Sequence, residues 1–175
     1  MNTDIKDVTG AVAEVDLVVD LPIDEVWELI TDISRIGEWS PECVSAAWRP
    51  DEKDDLPRVG AWFDARNEYP GGYTSTVECV VTRATRPTVF EWVVLDDDQD
   101  VGRPGSIWRY DLASHNKETL IRHRFTHGAG MTGLREGMLD RPDRAEAVLA
   151  GRLAVLRTNM TATLRAMMDS KGAER

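Results

Sequence analysis

Glu42, Asn67, His123 and His127 are the side chains whose type and setting could carry chemistry in this sequence. Glu42 closes the phrase Trp39-Ser40-Pro41-Glu42. A residue before proline is biased to extended geometry, so Ser40 makes this a turn that aims Trp39 and Glu42. At a partly apolar pocket mouth the Glu42 carboxyl would have a raised pKa, suited to proton transfer, or it could accept a hydrogen bond from a ligand. The same turn could be a hinge that only packs, and one carboxylate alone makes no acid–base pair. Asn67 lies in a run where Asp64 and Arg66 take the outward parity, which turns Phe63, Ala65, Asn67 and Tyr69 inward. A buried amide must find hydrogen bonds or cost about 1–3 kcal/mol. Asn67 therefore either orients a ligand carbonyl or hydroxyl, or bonds a neighbouring loop. His123 and His127 share one parity of a strand-like run. Four residues of strand span about 13 Å, too far for one metal ion, so no metal site is expected. His127 precedes Gly128-Ala129-Gly130; it could act as an acid or base at a pocket rim, or cap a strand end. Glu42, Asn67 and His127 are the catalytic candidates. The sequence contains no G-x-S-x-G phrase, P-loop or Gly-rich dinucleotide fingerprint. No cofactor is expected.

These side chains need elements to hold them. Ala13, Val15, Leu17 and Val19 alternate with Glu14, Asp16 and Asp20, which reads as a strand with one wet face. Pro22 suits the first turn of a helix, and Asp24 and Glu25 suit its positive end. Val26, Trp27, Leu29, Ile30 and Ile33 follow at helical spacing, and a second short helix is expected near Ser34 to Gly37. Six more alternating runs follow, at 44–48, 61–69, 73–82, 88–95, 106–113 and 119–127. Pro70-Gly71-Gly72 marks a turn, and the acidic run Asp96 to Asp100 a solvated loop. The spacing predicts a short helix over 131–139. Beyond Arg141-Pro142, Ala145, Val148, Leu149, Leu153, Leu156, Met160, Leu164 and Met167 mark one face of a long helix. A strand, two helices, six strands and a long helix predict an α+β fold of consecutive antiparallel hairpins.

The chain has 175 residues and a formal charge of −10. That length suits one domain. The charge argues against a nucleic-acid partner and against an anionic membrane surface. No stretch is long and apolar enough for membrane insertion, and the acidic N-terminus lacks a signal-peptide layout. Cys43 and Cys79 form no CxxC pair, so reduced thiols and a cytoplasmic location are expected. Residues 1–10 and 169–175 are expected to be flexible ends.

Three phrases in order, LPIDEVWELITDISRIGEWSPE, VGAWFDARNEY and RLAVLRTNMTATL, resemble the START-like helix-grip superfamily (SRPBCC), the polyketide cyclase/dehydrase and lipid-transport-like proteins. The G-x-x-F-x-x-x-N phrase from Gly60 to Asn67, following W-S-P-E, looks like an actinobacterial branch. The resemblance implies a single START-like domain over 11–168. Its fold would be a curved seven-stranded antiparallel sheet around a long C-terminal helix, with two short helices after strand 1. In such a grip the inward parity lines a pocket, though any one aromatic could simply be core. The expected lining is Trp39, Glu42, Trp48, Phe63, Asn67, Tyr69, Trp92, Trp108, Tyr110, His123, Phe125, His127, Leu156 and Met160. The first reading is binding of a small hydrophobic or aromatic metabolite by a monomer or homodimer. Two others stay open. One is a polyketide aromatase/cyclase or dehydratase-type enzyme, with Glu42, Asn67 and His127 guiding proton transfers. The other is a protein–protein interaction module.

Overall fold

A computed structural model describes residues 7–52 and 56–173. β1 (Val12–Val19) leads through Pro22 into α1 (Ile23–Thr31), a 3-10 turn and α2 (Ile36–Trp39). Six strands follow: β2 (Cys43–Trp48), β3 (Trp62–Glu68), β4 (Thr74–Thr85), β5 (Val89–Val94), β6 (Ser106–His115) and β7 (Glu118–His127). Then come α3 (Gly133–Asp140) and the 29-residue α4 (Ala145–Ala173). The sheet order is β1-β7-β6-β5-β4-β3-β2, antiparallel throughout, so the first and last strands pair and β5 is central. This is the expected helix-grip arrangement.

Alternation fixes the two faces. Outward charges on the convex side pair across strands, Arg122 with Asp16 at 2.9 Å and Arg109 with Glu91 at 3.2 Å, and along β6, Arg109 with Asp111 at 2.6 Å. Inward side chains meet α1 and α4. Val26, Trp27, Leu29 and Ile30 of α1 are buried, with Asp24 and Glu25 in the first turn. The apolar stripe of α4 divides into three zones. Ala145 packs with Met138 and Val8; Leu156 and Met160 pack on Ala13 and Phe125; Leu164, Met167 and Met168 join Trp27, Phe90, Tyr110 and Ile121.

Several boundaries differ from the sequence expectation. β4 runs on to Thr85, where pairing resumes after a register shift between Val81 and Arg83 that breaks the alternation, and β6 runs on to His115 through the polar pair Ser114-His115, where alternation gives no signal. α3 begins at Gly133 because the Thr132 hydroxyl caps it, accepting from the Arg135 amide at 3.2 Å. The two ends are also less loose than expected where they are described. Val8 is buried against Met138 and Ala145, and the Gly10 amide donates to His127 O at 2.8 Å. α4 continues through 169–173, beyond its anchors Met167 and Met168. Residues 1–6 and 174–175 lie outside the described residues.

Candidate functional site

The concave face is a set of cross-strand rows. Phe90, Tyr110, His123 and Val15 form one; Val81, Trp92, Trp108, Phe125 and Ala13 the next; Trp48, Phe63, Cys79, Val94, Ser106 and His127 the third. Nearer the far ends of β3 and β4 come Ala65 with Val77, then Asn67 with Ser75. Aromatic contacts run along and between these rows. Trp48 meets Phe63 edge-on at 5.3 Å, Phe63 lies 6.2 Å from Trp92, Trp92 stacks with Trp108 at 6.2 Å, and Trp108 meets Phe125 at 5.0 Å. Phe63, Phe90, Tyr110 and Phe125 are buried, yet Trp48, Trp92, Trp108, Asn67 and Tyr69 keep partial exposure. Trp92 stands on the central strand and faces inward. It can keep accessible surface there only if open space separates the middle of the sheet from α4. α4 packs chiefly against β1, α3 and α2, an arrangement consistent with such a gap over the central strands.

A polar network ties the turn before β2 to α4. Ser40 Oγ accepts from the Cys43 amide at 2.9 Å and the Glu42 amide at 3.2 Å, which fixes the turn that aims Glu42. The Glu42 carboxylate accepts two hydrogen bonds from Arg152 of α4, at 2.7 and 2.6 Å, and a third from Asn159 Nδ2 at 3.2 Å. The Arg152 guanidinium also lies 5.6 Å from the Tyr69 ring centroid. Ser75 Oγ is shared by the Tyr69 hydroxyl at 3.2 Å and by Asn67 Nδ2 at 3.3 Å. Asn67 thus bonds a neighbouring strand's side chain rather than a loop backbone.

The two histidines differ. His127 is bracketed: Nδ1 meets Gly128 O at 2.9 Å and Nε2 meets the Thr132 hydroxyl at 2.8 Å. The bracket depends on Gly128, where a Cβ would fall 1.9 Å from Pro104 O. Burial lowers the His127 pKa. His123 is 4 % exposed, and its two ring nitrogens are the only buried side-chain nitrogen or oxygen atoms among the described residues without a hydrogen-bond partner. Its ring stacks on Tyr110 at 3.9 Å, and Trp108 and Trp92 lie 5.6 and 6.5 Å away. Desolvation holds its pKa down to about 3, and burial raises that of Tyr110. An orphaned buried polar group of this kind costs about 1–3 kcal/mol.

The expected lining residues differ in exposure. Trp48, Trp92, Trp108, Asn67, Tyr69 and Glu42 keep partial exposure. Trp39 sits in the core beneath Arg35, whose guanidinium lies 4.9 Å from its ring. Leu156 and Met160 are consumed by packing on Ala13 and Phe125. Glu42 and His127 share no hydrogen-bond partner, and each is saturated by its own neighbours. Burial pushes the Cys43 thiol up to about 11 and raises Cys79 as well, so neither is a ready thiolate. Among the described residues no group of three or more His, Cys, Asp or Glu could hold a metal, and no helix is long and apolar enough to cross a membrane. Sequence reasoning missed Arg152, Asn159 and Ser75. A signal for the first two existed, since Arg152, Leu156, Asn159 and Thr163 recur at helical spacing and put polar groups beside the apolar stripe. A separate cleft of about 420 Å³ opens between α3 and the 7–9 segment. Its Arg135 is spent on Asp7, Thr9, Gly128 and Gly130.

Comparison with known proteins places this geometry. A solution NMR structure of a Polyketide_cyc-like protein from Corynebacterium glutamicum is 27% identical, with a TM-score of 0.65 over 94% of this chain and 93% of that one. A crystal structure of a protein from Mycobacterium smegmatis shares the fold at 16% identity, with a TM-score of 0.62 over 97% and 96% of the two chains. The di-domain ARO/CYC StfQ from the steffimycin biosynthetic pathway gives 15% identity and a TM-score of 0.71. The match covers 95% of this chain and 53% of that one, so this chain spans about half of StfQ. No curated protein matches the sequence. The family model for polyketide cyclase / dehydrase and lipid transport matches residues 11–168, and the chain belongs to that family.

Proposed function

We propose that the protein binds a small hydrophobic or aromatic metabolite between the concave face of the sheet and α4. The observation that carries this reading is the partial exposure of Trp92 and Trp108 on the inward face of the two strands at the middle of the sheet, continued by Trp48 at its edge, while Phe63, Phe90, Tyr110 and Phe125 are buried. Aromatic walls with few polar groups are what apolar ligand sites use. Phe63, Tyr110 and Phe125 back these walls, and Asn67, Tyr69 and Glu42 form a polar rim. Family membership is consistent with binding and with cyclase-type chemistry alike. The hydrogen bonding favours binding, because Glu42 is held by Arg152 and Asn159 while His127 is held by Gly128 and Thr132. An acid–base pair needs both groups free to reach one substrate.

An environment-sensitive apolar dye should bind with blue-shifted emission at a single saturable site. Val77 faces inward on β4 beside Ala65 and is only partly buried, so Val77→Trp should fill the space. Dye affinity should fall by about tenfold or more, the factor that about 1.4 kcal/mol of lost contact represents, while the circular dichroism and thermal transition persist. Undiminished dye binding to a folded Val77→Trp protein would place the ligand elsewhere.

A further inference from the structure

Resting on the binding reading above, we propose that His123 is the polar anchor of the site and selects a ligand that presents an uncharged hydroxyl, of the phenol or enol type, to its imidazole. Five other inward polar side chains of the site, Glu42, Asn67, Tyr69, Ser106 and His127, already have partners. Glu42 has Arg152 and Asn159; Asn67 and Tyr69 have Ser75; Ser106 Oγ accepts from Trp108 Nε1 at 3.2 Å; His127 has Gly128 and Thr132. His123 alone has two unmet ring nitrogens, and it lies beside the rings that border the open space. Packing does not require this arrangement, because phenylalanine would fill a similar volume and stack on Tyr110 without leaving two polar atoms bare.

The chemistry of the partner follows from the imidazole. A neutral ring offers one N–H donor and one bare nitrogen acceptor. A hydroxyl is the smallest group that can answer either, donating to the bare nitrogen or accepting from the N–H. A carboxylate can only accept, and it would need a cation to replace its water. The cation of the polar network, Arg152, is already paired with Glu42 at 2.6 Å. The flat walls formed by Trp92 and Trp108 suit an aromatic body behind the hydroxyl. The ring nitrogens are sealed from solvent, so the ligand reaches them past these two indoles. Trp108 is held by one neutral hydrogen bond at 3.2 Å and by ring contacts with Trp92, His123 and Phe125, so binding requires this indole to shift against those rings.

The test compares 2-naphthol with 2-methylnaphthalene, nearly equal in shape and differing in the hydroxyl, by calorimetry or quenching of tryptophan emission. Wild-type protein should favour 2-naphthol by about fivefold or more, the effect of satisfying one buried polar group. In His123→Phe the ratio of the two affinities should collapse to near unity. Equal binding of both compounds by wild type, or a preference that survives in His123→Phe, overturns the anchor and leaves the cavity reading intact. Failure of both compounds to bind wild type overturns the cavity reading and the anchor with it. Should His123→Phe not fold, imidazole ¹⁵N resonances of wild type decide the matter. A shift with 2-naphthol and none with 2-methylnaphthalene supports the anchor, and an equal response to the two overturns it.

Discussion

Along β5 the inward side chains pass from Phe90, fully buried, to Trp92 and Val94, which keep accessible surface. β6 repeats the change from Leu112 and Tyr110 to Trp108, and β3 from Phe63 and Ala65 to Asn67. The sheet is the same; what differs is the cover. At the closed end α1 and the last turns of α4 bring Trp27, Ile30, Leu164, Met167 and Met168 onto the strands. At the open end the earlier turns of α4 meet the sheet chiefly at β1 and β7 through Leu156 and Met160, and span the rest by the Glu42–Arg152 pair. A charged, hydrogen-bonded strut can hold two elements apart in a way that interdigitated apolar side chains cannot. On the proposed reading, the closed half carries the stability of the domain and the open half is where a guest would bind.

The sharpest way to break that division is to truncate one aromatic in each half. Phe90→Ala removes a fully buried ring that touches Trp27 at 6.3 Å and Trp92 at 5.2 Å. It should destabilise the protein by about 3–5 kcal/mol. Trp48→Ala, on an edge strand with its indole partly exposed, should cost about half as much, since less area leaves water on folding, and should weaken dye binding. Urea denaturation gives both values. Equal losses would mean that the two halves are packed alike and that the open space is an ordinary packing fault.

His123 stands where the halves meet, and pH reports which of them it belongs to. In the unfolded chain it takes up a proton near pH 6.5, and in the folded protein only near 3. Between those values the unfolded state binds more protons, so stability is complete above pH 6.5 and falls as the pH drops. The slope is about 1.4 kcal/mol per pH unit. His127, also lowered by burial, adds in the same direction. His123→Phe should therefore lose about 2 kcal/mol less than wild type between pH 7 and pH 5, measured by denaturant titration. An unchanged pH dependence would show that water already reaches the ring and that it belongs to the open half.

Much of this division is legible in the amino-acid sequence. Alternation assigns Phe90, Trp92, Trp108 and His123 to one face, because burial on one side of a strand imposes a period of two. The stripe from Ala145 to Met167 sets the face of the long helix for the same kind of reason. Alternation does not distinguish a sealed inward residue from an accessible one, since that depends on how far the covering helix stands off. Met160 and Trp48 therefore look equivalent by pattern and are not. Helical spacing places Arg152 beside the apolar stripe, but its role is not legible, because such a position resembles a solvated one until its partner 110 residues away is known. The bare nitrogens of His123 are hidden for a related reason. Whether an inward group is satisfied depends on the register of three strands at once, and no local pattern encodes that.

The smallest effect expected is at the rim, and it tests whether the open half can be altered without cost to the fold. Asn67 donates one neutral hydrogen bond, to Ser75 Oγ at 3.3 Å, and keeps partial exposure. Asn67→Leu keeps a similar volume and leaves Ser75 with its Tyr69 partner at 3.2 Å. The lost bond is long and partly hydrated, so stability should change by less than about 1 kcal/mol. The added apolar surface should strengthen binding of a purely apolar dye while weakening any ligand whose polar group meets the amide. Opposite shifts for two such ligands, with an unchanged urea midpoint, would mark Asn67 as a selector on the rim. A loss above about 3 kcal/mol, with neither ligand affected, would make Asn67 a bracket between β3 and β4 and move the boundary of the closed half out to the rim.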